Sequence, residues 1–196
     1  MTKNATKIKS LVLKPLTPET WDDFEALFGE KGACGGCWCM SWRLAASEFE
    51  SQKGEANKKA MRAIVDSGEV PGLIAYADGK PAAWCSVAPR ERFPKLGRSR
   101  VLAPIDEKPV WSVVCFFVSK PFRGIGLSVE ILKHAVKYCK SAGAQIVEGY
   151  PSDPRGKKLP DAFMWKGALS AYLKAGFEVA ASRSEASPIV RFIIKK

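Results

Sequence analysis

A chain of 196 residues with 46% apolar and 26% charged side chains has enough hydrophobic material for one core and too much for a disordered segment. The formal net charge of +11 favours anionic partners, but Lys and Arg are scattered rather than massed in one block, so a basic solvated surface reads equally well. The N-terminal stretch MTKNATKIKSLVLKPL lacks the apolar core and cleavage site of a signal peptide, and the longest apolar run, 110–118, falls far short of the roughly 20 residues a membrane-crossing helix needs. The expectation is a cytoplasmic protein with one domain over 1–196 and a flexible basic tail over 1–9, whose cysteines stay thiols.

In chain order, Leu11–Lys14 reads as a short strand and Thr17-Pro-Glu-Thr-Trp as the capped opening of a helix over 18–28. Residues 33–43, ACGGCWCMSWR, then form a loop before a second amphipathic helix over 47–66 that Gly54 interrupts. The run CGGCWC could be half of a zinc knuckle, but the chain has no second C-x-x-C, and His134 is its only histidine. A redox role would need a strand-to-helix setting, whereas this motif lies between helices. No metal is expected there.

Strands over 72–77 and 82–87 flank a DGKP turn as a hairpin, and an Arg- and Pro-rich loop spans 89–109. The apolar strand 110–118 is expected at the centre of the sheet, buried on both faces. A helix over 126–142, a strand over 144–150, a polar turn over 151–161, a helix over 163–174 and strands over 177–181 and 189–194 complete the order. Hairpins mixed with strand-helix-strand crossovers predict an α/β chain of α+β type with a mixed, mostly antiparallel central sheet flanked by helices.

The most informative segment is FFVSKPFRGIGLSVEILKHAV, 116–136, where an apolar strand enters Arg123-Gly124-Ile125-Gly126-Leu127-Ser128 as a helix begins. Glycines let backbone N–H groups approach an anion, and the helix N-terminus adds its positive dipole end, so the loop can cradle a pyrophosphate. The Walker pattern fails because no Lys-Ser/Thr pair follows the last glycine, and the dinucleotide fingerprint fails because Val129 stands at its third glycine. The loop instead resembles the R/Q-x-x-G-x-G/A signature of the GNAT N-acetyltransferase superfamily, with Arg123, Gly126 and Ser128 at the defined positions. A second match, Tyr172-Leu-Lys-Ala-Gly-Phe177, is similar to that superfamily's Y-x-K-x-G-F ending of its last helix, although Trp165 stands where members often carry Asn.

The resemblance implies strands splayed at an acyl-CoA site, acetyl-CoA as cosubstrate, and direct attack by an amine in a ternary complex. Phe117 and Val118 would grip the pantetheine and polarise the thioester, and Arg123, Gly124, Ile125, Gly126, Leu127 and Ser128 would hold the pyrophosphate. It implies Tyr172 as acid toward the leaving thiolate, with Glu148 as the nearest plausible base on the following strand, or a water chain in its place. It also places 33–43 where the superfamily shapes its acceptor pocket, with Trp38, Met40 and Trp42 as walls and Arg43 as an anchor for an anionic group. The apolar neighbours of Cys115 assign it to the core. The expected acceptor is a small-molecule or peptide amine, with homodimer formation left open and neither membrane nor nucleic acid as a partner. Two rivals are an acyl-CoA sensor without catalysis and a basic nucleic-acid or ribosome-binding module using the +11 charge.

Overall fold

The computed structural model describes residues 8–153 and 164–195. Most of the tail expected over 1–9, most of the turn expected over 151–161 and the start of the helix expected at Phe163 lie outside them. Seven strands form one sheet in the order β1-β2-β3-β4-β5-β7-β6, with β1 Leu11–Pro15, β2 Gly72–Ala77, β3 Lys80–Pro89, β4 Trp111–Val118, β5 Ile146–Gly149, β6 Glu178–Ala181 and β7 Ile189–Ile193. Every neighbouring pair is antiparallel except β4 with β5. This is the mixed, mostly antiparallel sheet expected, with the helix Leu127–Ser141 making the crossover between the one parallel pair.

The β2–β3 hairpin turns through Asp78 (φ 49°) and Gly79 (φ 79°), the paired positive φ values of the turn that follows strand twist. The Asp78 carboxylate also accepts the Lys9 and Ser10 N–H groups at 3.0 and 2.8 Å, which ties β1 to the hairpin. Alternation along the strands separates two cores. Ile74, Tyr76 and Trp84 face α1 Trp21–Phe28 and α3 Glu55–Asp66, packing with Phe24, Trp38 and Met61. Leu73, Ala75, Ala83 and Cys85 face the opposite way, against α5 Leu127–Ser141 and α6 Leu169–Lys174. The predicted apolar face of α5 is the buried one: Leu127, Ile131, Leu132, Ala135, Val136 and Cys139.

The differences from the sequence expectations have local causes. The helix expected over 47–66 is two, α2 Ala46–Ser51 and α3, because Gly54 takes φ 90° and its N–H bonds to the Gly36 carbonyl at 2.9 Å. The segment 89–109 is not bare loop: it holds a single 3-10 turn and the short α4 Pro94–Gly97, and it buries Phe93, Leu96 and Leu102 against Trp42 and Tyr150 in a third cluster. The last helix starts at Leu169, since Gly167 adopts φ 80° and the Trp165 carbonyl is drawn away to the Phe116 N–H at 2.6 Å. Strand β4 is central but not buried on both faces along its whole length. Trp111, Cys115, Phe117 and Val118 are partly exposed.

Candidate active site

Strands β4 and β5 pair in parallel only over Trp111–Val113 and Val147–Gly149. Beyond Val113 they diverge, and the free side of β4 becomes one wall of a groove of about 700 Å³. Backbone alternation sets the polarity of that wall. The Phe116 N–H points across the opening to Trp165, and the Ser119 N–H returns to Ala82 on β3, so the Val118 N–H and C=O face the splayed side while those of Phe117 face β3. The Val118 carbonyl accepts from Arg123 Nε at 2.8 Å, which fixes the turn into the next helix.

At one end the groove is closed by Arg123, Gly124, Gly126, Leu127 and Ser128. Gly124 and Gly126 take φ 79° and 80°, and a Cβ at either would meet no atom within 4 Å, so the backbone is open to a ligand there. Among the described residues, the N–H groups of Gly124, Ile125 and Gly126 have no backbone acceptor, and those of Leu127 and Ser128 belong to the unpaired first turn of α5. Five successive donors at the positive end of a 15-residue helix form an anion cradle. The Ile125 side chain does not line the groove; it packs against the core under α5.

At the other end the walls come from α1, the cysteine loop and α2: Phe28, Cys34, Cys37, Cys39, Trp42 and Phe49, with Cys115 from β4 and Trp165 from the far side. Of the four acceptor residues expected from sequence, only Trp42 lines the groove, its indole N–H bonded to the Val114 carbonyl at 3.1 Å. Trp38 stacks on Phe28 with ring centroids 5.6 Å apart and covers Gly32, on the far side of that wall. Met40 is core. Arg43 is buried beneath the wall, donating to Glu69 Oε1 at 2.6 Å with its guanidinium over the Phe93 ring.

Neither residue expected to move protons lines the groove. Glu148 is 1% exposed, and its carboxylate accepts from Arg191 Nε (2.8 Å), Arg90 Nη1 (3.2 Å) and the Tyr150 hydroxyl (2.8 Å). A carboxylate held by two guanidiniums and a phenol is a structural anchor joining β5, β7 and the 89–109 segment, and sequence spacing alone cannot show that its partners arrive from so far away. Tyr172 is fully buried, its hydroxyl donating to the Lys166 carbonyl at 3.2 Å beneath the turn that carries Gly167. Burial pushes its pKa well up.

The cysteine loop carries the feature that the sequence did not disclose. Cys39 (φ 61°) and Trp38 (φ 42°) are non-glycine residues in left-handed backbone, a strained arrangement that turns the Cys39 side chain inward. The Trp84 indole donates to Cys39 Sγ at 3.1 Å. The neighbouring Cys115 thiol has the largest effect on Cys39, and together with the Trp84 indole, the Ser86 hydroxyl and the charge of Arg43 it outweighs burial and brings the Cys39 pKa down to about 7, while that of Cys115 is pushed up. Among the described residues no three His, Cys, Asp or Glu side chains group as metal ligands.

The splayed sheet and helix-capped glycine loop are those of an acetyltransferase. The model of the Acetyltransferase (GNAT) family matches residues 38–153, and the chain belongs to that family. A search of curated proteins found no match. Among solved structures, a GNAT-family acetyltransferase from Streptococcus agalactiae aligns over 97% of this chain and 99% of its own at 13% identity and TM-score 0.56. The PaiA N-acetyltransferase of Thermoplasma acidophilum, solved with coenzyme A, aligns over 94% and 99% at 15% identity and TM-score 0.52. AAC(6')-Ib, solved with paromomycin and acetyl-CoA, aligns over 94% of both chains at 14% identity and TM-score 0.51. At these identities the likeness is one of fold. No helix among the described residues is long and apolar enough to cross a membrane.

Proposed function

We propose that this chain transfers an acetyl group from acetyl-CoA to an amine by direct attack within a ternary complex. The observation that carries the reading is the groove itself: the parallel pairing of β4 and β5 stops at Val113, and the opening runs from the five N–H groups of 124–128 to a separate aromatic chamber. A long cosubstrate with an anionic end and a reactive end, and a second reactant meeting it midway, fit such a two-ended groove. That complexes with coenzyme A occur among structures of the same fold supports this assignment.

In this reading the pyrophosphate lies on the backbone of Gly124, Ile125, Gly126, Leu127 and Ser128, with Arg123 beside it, and the pantetheine follows the edge of β4. The Val118 N–H supplies the polar contact along that edge, and the Phe117 side chain packs against the arm. Positioning two reactants this way removes much of the entropic barrier. The acceptor enters between Trp42, Phe49 and Trp165, so it is a small-molecule or peptide amine with an apolar body. Tyr172 acts as a positioning residue, since its ring supports the turn at Gly167 from below.

The test is thiol release from acetyl-CoA across apolar monoamines, polyamines, aminoglycosides and peptide N-termini. Release with at least one class, absent without amine, supports the proposal. Tight CoA binding without release from any amine would leave an acyl-CoA sensor instead.

A further inference from the structure

A protonated amine has no lone pair, so the groove needs a group that removes its proton. Among the described residues that line it, no Asp, Glu or His is present, and its charged lining residue, Arg123, stands at the anion-binding end. Cys39 faces the acceptor chamber and is 4% exposed. Its surroundings favour the sulfur as an anion. The Trp84 N–H is aimed at Sγ at 3.1 Å, and the polar Cys115 and Ser86 side chains beside it also favour the ionised sulfur. The Arg43 guanidinium contributes positive charge and keeps Nε and Nη2 without partners among the described residues, having spent Nη1 on Glu69.

From this arrangement, and resting on the acetyl-transfer reading above, we propose that Cys39 is the catalytic base of the reaction. The acceptor ammonium gives one proton to the Cys39 thiolate, and the freed lone pair forms a C–N bond to the thioester carbonyl carbon. The C–S bond breaks, and coenzyme A leaves as a thiolate. The Cys39 thiol returns its proton to that sulfur, and the second nitrogen proton leaves to solvent, so the thiolate is regenerated without an added reagent.

Three neighbouring thiols oppose a second anion. Cys37 on the same loop and Cys85 on β3, like Cys115 on β4, are raised by burial or by the neighbouring thiols. Among these four neighbouring thiols, Cys39 is the one that ionises near neutrality. The sign follows: with its pKa at about 7, the base is inactive below that pH and active above it.

The test compares wild type with Cys39→Ser and Cys39→Ala, using an alkylamine acceptor and an aromatic amine that is already unprotonated at neutral pH. Acetyl-CoA affinity, measured by calorimetry, serves as the folding control. Expected is a loss of about 100-fold or more in kcat/KM with the alkylamine, loss of the pH limb near 7, a much smaller loss with the aromatic amine, and unchanged acetyl-CoA affinity. Equal losses with both amines, or no loss, overturn the proposal. So does an acetyl group found on Cys39 by mass spectrometry, because the sulfur would then be a nucleophile. If wild type releases no thiol with any amine, it is the acetyl-transfer reading that fails.

Discussion

The phenol ring of Tyr172 lies directly on the α-carbon of Gly149, leaving no space for a side chain there. The residue ending β5, just where β4 and β5 part, is therefore glycine because the ring beneath the groove floor occupies the volume. Gly149→Ala should overpack this site and destabilise the protein by about 1–3 kcal/mol. Denaturant unfolding measures it, and an unchanged midpoint would mean that the ring is not fixed there.

Tyr172→Phe separates positioning from acid catalysis. It removes one buried hydrogen bond, to the Lys166 carbonyl, worth about 1 kcal/mol, and keeps the ring. Thiol release should stay within about tenfold of wild type, well short of the 100-fold or greater effect of losing a general acid. A larger loss would return Tyr172 to the chemistry.

Glu148→Ala should lower stability by about 3–5 kcal/mol, because it leaves the largely buried guanidinium of Arg90 without a carboxylate among the described residues, while Arg191 keeps Asp106. Acetyl-CoA affinity per folded molecule should be retained. A loss confined to thiol release with stability intact would instead mark Glu148 as a base.

Asp106 gives a pH-dependent signature. Arg191 holds its carboxyl down to about 2, against roughly 3.9 for an unperturbed Asp. A group lowered on folding stabilises above its unfolded value and loses that contribution as pH falls through the folded one. Wild type should therefore be more stable than Asp106→Asn at neutral pH, with the difference shrinking between about pH 4 and pH 2. Unfolding midpoints across that range test the sign, and a constant difference would refute it.

Local signals were legible and long-range ones were not. The α5 face and the turn at Asp78-Gly79 depend on residues adjacent in sequence, and the structure shows them as read. The need for glycine at 149 depends on where it meets Tyr172, and the late start of α6 on where the Trp165 carbonyl finds Phe116. Cys39 looked like one sulfur among three in CGGCWC. What singles it out is Trp84, 45 residues away, and Cys115 on another strand. The sequence suggests Trp38 and Met40 as walls beside Trp42 and Arg43 as an anionic anchor, but the left-handed turn at Trp38 and Cys39 takes Trp38 to the far side of the wall, and Met40 and Arg43 are buried.

The central claim is that the 123–128 loop and the free side of β4 hold acetyl-CoA. Amide NMR during titration with coenzyme A tests it most directly. The account predicts that the resonances of Gly124, Ile125, Gly126, Leu127, Ser128 and Val118 shift together and saturate, and that Gly126→Val weakens binding at least about tenfold, equivalent to about 1.4 kcal/mol. Saturable binding that leaves those amides unmoved, or no binding at all, would contradict it.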